Sequence, residues 1–175
     1  VWDGYREIGI DHFARPDDGL AVAQANGMLR RNFQGYTDDT SPVLVGLGAS
    51  PISRFPQGYA QNTASTSGHT RAVREGHFST VKGHRFTPED LLRARMIEAL
   101  MCDFRIDAQE MCDKFGTTPA RLAQMFDAAQ KVFGDMIEVS PKGLSIPEKG
   151  RPLTRMIARC FDAYDLSKAG HSSAI

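Results

Sequence analysis

The sequence has little cysteine, no surplus of either charge and no long apolar run. Its 175 residues include three cysteines, at 102, 112 and 160. So few, and an odd number, do not make the disulfide framework of a small secreted scaffold. Their spacing fits no zinc or iron–sulfur pattern, and no two histidines stand at metal-ligand spacing, so no metal site is expected. Lys plus Arg total 21 and Asp plus Glu total 21. A neutral chain does not hold nucleic acid or an acidic membrane by bulk charge. No run approaches the ~18 apolar residues of a membrane span, so no membrane insertion is expected. The first residues carry no leader pattern, and a reducing, cytoplasmic setting is expected. Val1 stands where an initiator Met would, and Trp2, Tyr5 and Ile8 read as the middle of a folded unit. A piece of a longer protein is therefore expected.

What is present is globular: 41% of residues are hydrophobic, and a chain of this length can bury about 70% of its surface. The small, polar stretch from Asn62 to Gly68 reads as a linker. It separates an α/β part, 1–65, from a mainly helical part, 66–175. In the first part Tyr5 to Asp11 reads as one strand, with Ile8 and Ile10 on one face. Asp17 or Asp18 caps a short helix to Asn26, with Gly27 at its exit. Met28 to Thr37 has no period. Val43 to Leu47 reads as a strand buried on both faces, as in a helix-covered parallel sheet.

The second part carries stronger signals. Thr87-Pro88-Glu89-Asp90 forms a capping box that opens a helix to Phe104, with Ile97, Leu100, Met101 and Phe104 on one face. Asp107 opens a short helix, and Thr118-Pro119 opens a third with Leu122, Met125, Phe126, Ala129, Val132 and Phe133 at helical spacing. Ile137 and Val139, then Leu144 and Ile146, predict a β-hairpin around Pro141-Lys142-Gly143. A last helix is expected from Pro152 to Tyr164, burying Leu153, Ile157, Cys160, Phe161 and Tyr164. This order is winged-helix-like. The tail from Ser167 is expected to fray.

Candidate functional residues come from three places. His12 ends the first strand, where α/β sheets place ligands. His77 and His84 read as loop residues. Gly46-Leu47-Gly48-Ala49-Ser50 is either a tight turn or a backbone cradle for an anion. Arg30-Arg31-Asn32-Phe33-Gln34-Gly35-Tyr36 packs two cations, two amides and two aromatics into seven residues, as a binding loop does or an anchored surface loop. The third helix would expose Arg121, Gln124, Asp127, Gln130 and Lys131. Asp127 opposes phosphate contact, and no nucleic-acid partner is expected.

Taken together, the blocks Ile8-Gly9-Ile10-Asp11-His12-Phe13-Ala14-Arg15-Pro16-Asp17-Asp18, Arg31-Asn32-Phe33-Gln34-Gly35-Tyr36-Thr37, Gly46-Leu47-Gly48-Ala49-Ser50 and Tyr59-Ala60-Gln61-Asn62 resemble oxygen-independent coproporphyrinogen III oxidase. That is a radical S-adenosylmethionine family of haem biosynthesis. The resemblance continues through Met101-Cys102-Asp103-Phe104-Arg105 and Lys149-Gly150-Arg151-Pro152-Leu153 to Cys160-Phe161-Asp162.

The resemblance implies the C-terminal strands of an incomplete radical-SAM β/α barrel over 1–65 and a helical, winged-helix-like covering domain over 66–175. It implies S-adenosylmethionine and a [4Fe–4S] cluster in the complete enzyme. The family's C-x3-C-x2-C cluster motif is absent here and would belong to an N-terminal part. The implied reaction decarboxylates two propionates of coproporphyrinogen III to vinyl groups, giving protoporphyrinogen IX. In that reaction, as the resemblance implies it, a radical formed from S-adenosylmethionine would take a β-hydrogen from each propionate. By the family's pattern, Phe33, Gln34 and Ile52 would lie against S-adenosylmethionine. This chain has Ser50-Pro51-Ile52-Ser53 where the family most often has Ser-Ala-Ile-Ser. Arg30, Arg31 and His12 are the candidates for binding the substrate; no catalytic residue is assigned. An electron donor is implied as partner, and the complete enzyme would be a monomer. This segment alone is expected to be inactive. Two other readings remain: a haem-binding chaperone relative without oxidase activity, and a winged-helix interaction module.

Overall fold

The computed structural model describes residues 2–164, with side chains from Asp3 onward. The tail from Ser167, expected to fray, lies outside the described residues. By internal packing the chain forms two compact units. One joins the residues up to Asp38 to those from Leu91 on; the other is Asp39–Asp90. The stretch from Asn62 to Gly68 lies within the second unit.

The first residues fold as two small hairpins around a helix. Strands β1 (Arg6–Ile8) and β2 (His12–Ala14) pair antiparallel, with Ile8 opposite His12. The single strand expected over Tyr5 to Asp11 is therefore reversed in its middle. Gly9 causes this: its φ of 56° is the left-handed conformation that glycine adopts cheaply and that turns need. Helix α1 (Gly19–Ala25) follows, and Asp18 caps it by accepting the Leu20 N–H at 2.8 Å. Gly27, at φ 66°, carries the chain away from its end. Strands β3 (Arg30–Asn32) and β4 (Gly35–Thr37) form the second hairpin, in the stretch that showed no period. A two-residue turn with three residues on each side is too short for a period to register.

The second unit is a meander of β5 (Ile52–Phe55), β6 (Gly58–Asn62) and β7 (Thr80–Arg85), with α2 (Thr66–Arg74) between the last two strands. Asn62 to Gly68 is the junction of β6 with α2, whose N-cap is Ser65. His84 lies in β7, so its reading as a loop residue is corrected; His77 does lie outside any element. The doubly buried strand expected at Val43 to Leu47 is also corrected. Leu44 makes one isolated bridge to Arg54, while Val43, Val45 and Leu47 stay exposed, Leu47 at 86%. Pro42 removes a donor and Gly46 and Gly48 interrupt the run, so apolar character alone does not build a ladder there. All strand pairings among the described residues are antiparallel.

From Thr87 the capping signals hold. Thr87 and Asp90 form the reciprocal box: Asp90 Oδ2 accepts the Thr87 N–H at 2.8 Å and Thr87 Oγ1 accepts the Asp90 N–H at 3.2 Å. Helix α3 (Pro88–Asp103) follows, then β8 (Arg105–Asp107), α4 (Ala108–Phe115), α5 (Pro119–Phe133), β9 (Glu138–Ser140), β10 (Gly143–Ser145) and α6 (Thr154–Arg159). Asp107 and Thr118 cap α4 and α5 as expected. The β9–β10 hairpin gains β8 as a third strand, in the order β8-β10-β9. Three residues after a helix end gave no warning of it. The last helix is shorter than the expected Pro152 to Tyr164 because a 3-10 turn over Glu148–Leu153 precedes it and it stops at Arg159. Cys160 and Tyr164 therefore fall beyond the helix and are exposed, not buried.

Helix α3 is apolar on more than the one expected face because it serves two cores. Met96, Leu100 and Met101 enter the larger one, with Phe126, Leu144 and Phe161. Cys102 enters the smaller one, with Ile8, Ala21 and Leu29 of the N-terminal residues. Two ion pairs clamp the β1–β2 hairpin to the C-terminal residues: Arg151 with Glu7 at 3.4 Å and Arg155 with Asp11 at 2.6 Å.

A polar network ties α3 to α4. Arg95 reaches both oxygens of Glu110, at 2.8 and 3.2 Å, and also Glu98; Lys114 adds a bond to Glu110 at 3.0 Å. Burial opposes the charge on Glu110, but the hydrogen bonds from Arg95 and Lys114 outweigh it and hold the carboxyl below its usual range. A lowered folded pKa stabilises above the unfolded pKa, and that contribution is lost as pH falls through the folded one. Glu110→Gln should cost about 2 kcal/mol at neutral pH. The gap to the parent in urea unfolding should close below about pH 4. A gap independent of pH would show that the charge is not what matters.

Candidate functional site

The sequence-derived candidates in the first unit gather around the β3–β4 hairpin. Its turn is fixed locally: Asn32 Oδ1 accepts the Gln34 N–H at 2.8 Å, an Asx turn. This puts Phe33 and Gln34 at the tip, where Phe33 is 54% exposed and Gln34 is exposed. An exposed aromatic face and an exposed amide thus stand side by side on a short, closed turn.

The base of the hairpin is held from several directions. The Arg31 N–H donates to Glu98 Oε1 at 3.3 Å, tying β3 to α3. The Arg31 guanidinium lies 5.7 Å from the Tyr36 ring centre, its cross-strand partner. Its Nε is buried without a hydrogen-bond partner among the described residues. Arg30 turns back, donating from Nη1 to the Leu29 carbonyl at 3.0 Å. The Tyr36 hydroxyl accepts the Ile10 N–H at 3.0 Å and donates to the Met101 carbonyl at 2.9 Å. Burial is the largest influence on this phenol and pushes its pKa up, so the hydroxyl keeps its proton.

His12 meets the same tyrosine edge to face, with ring centres 5.0 Å apart. Its Nδ1 is 2.8 Å from Asp11 Oδ1. The His12 bond, with help from Arg155, holds the Asp11 carboxyl below its ordinary range. Arg155, Asp11, His12, Tyr36 and Arg31 therefore form one contiguous polar and aromatic group. It comes from β2 and its turn, from β3–β4 and from α6. Sequence reading marked His12 and Arg31 but missed the parts played by Asp11, Tyr36 and Arg155. A signal for Tyr36 was available, since a tyrosine among core residues needs a partner for its hydroxyl. The partners themselves lie 26 and 65 residues away.

Ile52 belongs to the second unit. It opens β5 opposite Gln61 and is half-buried. The glycine-rich loop before it is closed by its own chain. The Gly46 N–H donates to Ser53 Oγ at 3.0 Å, the Ser50 N–H to the Thr63 carbonyl at 2.8 Å, and the Asn62 side chain to the Gly48 carbonyl at 2.9 Å. Two backbone donors that could have met an anion are thus already used. Among the described residues no group of three or more His, Cys, Asp or Glu side chains could hold a metal ion. No helix of the described residues is long and apolar enough to cross a membrane.

Comparison with known proteins decides the relationship. The chain is 60% identical over 173 residues to an oxygen-independent coproporphyrinogen III oxidase of Paracoccus denitrificans, spanning 99% of this chain and 38% of that protein. This sequence corresponds to a C-terminal portion of the oxygen-independent coproporphyrinogen III oxidases. The enzyme of the same name from Bradyrhizobium diazoefficiens is 40% identical over 98% of the chain and 39% of its own length. A solved structure of coproporphyrinogen III oxidase from Escherichia coli, described as a radical SAM enzyme, superposes with a TM-score of 0.83 at 38% identity. It covers 93% of this chain, which spans 38% of it. No family model matches the chain. The chain thus spans about 38% of the length of the oxidases it matches. The family resemblance read from the sequence motifs holds.

Proposed function

We propose that this chain is the part of an oxygen-independent coproporphyrinogen III oxidase that closes its reaction chamber and contributes side chains to it. The single observation that carries the reading is 60% identity to such an oxidase over 99% of the chain. In the complete enzyme, two propionates of coproporphyrinogen III would become vinyl groups with loss of carbon dioxide. When bound, a [4Fe–4S] cluster and S-adenosylmethionine supply the radical chemistry. The described residues offer no ligand set for the cluster, so it would sit on other residues of the complete protein, and an electron donor would serve it there.

The hairpin tip fits S-adenosylmethionine better. Phe33 offers an apolar wall, and the exposed Gln34 amide can both donate to and accept from a ribose or amino-acid group. By the family's pattern Ile52, in the second unit, would add an apolar contact. Arg30, Arg31 and His12 are cations, or potential cations, of the kind a propionate requires. The strands of 1–65 pair only as antiparallel hairpins among the described residues, so the expected barrel strands are not seen there. We read 66–175 as a cover, with α3, β8, α4, α5, β9 and β10 in winged-helix-like order. A lid of this kind keeps water and stray hydrogen donors from a radical. The segment alone would be inactive, and the complete enzyme a cytoplasmic monomer.

In the full-length enzyme, Gln34→Ala and Ile52→Asp should each weaken S-adenosylmethionine binding about tenfold, the loss of one polar or apolar contact. The visible and EPR spectra of the cluster should not change. Unchanged affinity in both variants contradicts these contacts. Tight haem binding by the full-length protein without formation of protoporphyrinogen would favour a haem carrier instead.

A further inference from the structure

The least expected feature of the first unit is how much depends on one hydroxyl. Tyr36 Oη joins three segments: it accepts from Ile10 in the β1–β2 turn, donates to Met101 in α3, and stands at the base of β4. Both partners are backbone groups, so neither can swing away to find another bond. The ring is fixed too. His12 packs on it edge to face, Arg31 lies over it, and Gly9 is so close that a Cβ there would enter the ring. Only Gln34 and Gly35 separate this anchor from Phe33, and Asn32 closes the turn that carries Phe33 and Gln34.

We infer that Tyr36 is a positioning residue, whose hydroxyl fixes the β3–β4 tip so that Gln34 and Phe33 meet S-adenosylmethionine in one geometry. The inference rests on the reading of those two side chains as ligand contacts. A short hairpin alone is marginally stable in water. Without the anchor, β3–β4 would keep its Asx turn and its Glu98 bond but lose its fixed height above α3. Binding would then carry the entropy cost of ordering the tip. Tyr36 itself touches no reacting atom in this account.

The test is a double-substitution cycle in the full-length enzyme with S-adenosylmethionine as probe. Tyr36→Phe removes one oxygen and keeps the ring. It should weaken binding about tenfold, the cost of ordering the freed tip on binding, while the cluster spectra stay unchanged. On a Gln34→Ala background the same substitution should weaken binding clearly less than about tenfold, because one of the two contacts it positions is already gone. A purely structural role would weaken both backgrounds equally, and that result overturns the inference. So does unchanged affinity in Tyr36→Phe alone.

If Gln34→Ala binds as tightly as the parent, the contact reading itself falls. If only Gln34→Ala weakens binding, that reading stands and the positioning role falls. Should Tyr36→Phe fail to fold, the parent enzyme still decides. S-adenosylmethionine should slow hydrogen exchange at the Ile10 amide, which is bonded to Tyr36 and assigned no ligand contact. An Ile10 amide indifferent to the ligand overturns the inference.

Discussion

Phe126→Ala should lower the stability of the chain by about 4 kcal/mol, enough to shift thermal unfolding by on the order of 10 °C. Phe126 is 2% exposed and belongs to the larger core. It lies edge to face with Phe161, at 6.3 Å between ring centres. It therefore connects α5 to the residues just after α6. Removing the ring forfeits its transfer energy and the aromatic pair, and leaves a cavity between elements already fixed by the β8-β10-β9 sheet. Val132 provides the internal control. Expected on the apolar face, it lies instead at 69% exposure on the same helix, so Val132→Ala should change stability by less than about 0.5 kcal/mol. Circular dichroism melts of the two variants make the comparison. Equal effects would mean that α5 is not packed as described.

How much was legible in the sequence depended on range. Caps act over three residues, and Asp18, Thr87, Asp107 and Thr118 each opened the helix they announced. The hairpin at Pro141-Lys142-Gly143 was readable for the same reason. What escaped depended on partners far along the chain. β8 is three residues long and exists because β10, about 38 residues later, pairs with it. Val43 to Leu47 shows the opposite error. An apolar run looks like a buried strand, but burial requires neighbours, and only Arg54 pairs with Leu44 among the described residues.

The candidate site divides in the same way. The unusual composition of Arg30 to Tyr36 marked the loop, and motif order tied it to a family. That the loop is a hairpin was hidden by its brevity. That Asp11 and Glu7 meet two arginines one helical turn apart, 144 residues later, could not be read from spacing. Gly9 was visible as a letter in a motif, without any hint of what lies over it.

Gly9→Ala should therefore be the most damaging small substitution at the site. Two costs combine. At φ 56° a side chain pays the left-handed penalty of about 1–2 kcal/mol. The new methyl would also enter the Tyr36 ring, which its bonds to Ile10 and Met101 keep from yielding. The sum should reach about 3 kcal/mol, as overpacking at a pinned ring adds to the backbone term. Gly27 separates the two contributions. Its φ is 66°, and a Cβ there meets nothing within 4 Å, so Gly27→Ala should show the backbone cost alone, about 1–2 kcal/mol. The difference between the variants in urea unfolding measures how firmly Tyr36 is held. In the full-length enzyme only Gly9→Ala should also weaken S-adenosylmethionine binding, because only it moves the anchor of the hairpin tip. Equal losses of stability in both variants would mean that the ring gives way, and a ring that gives way could not position Gln34.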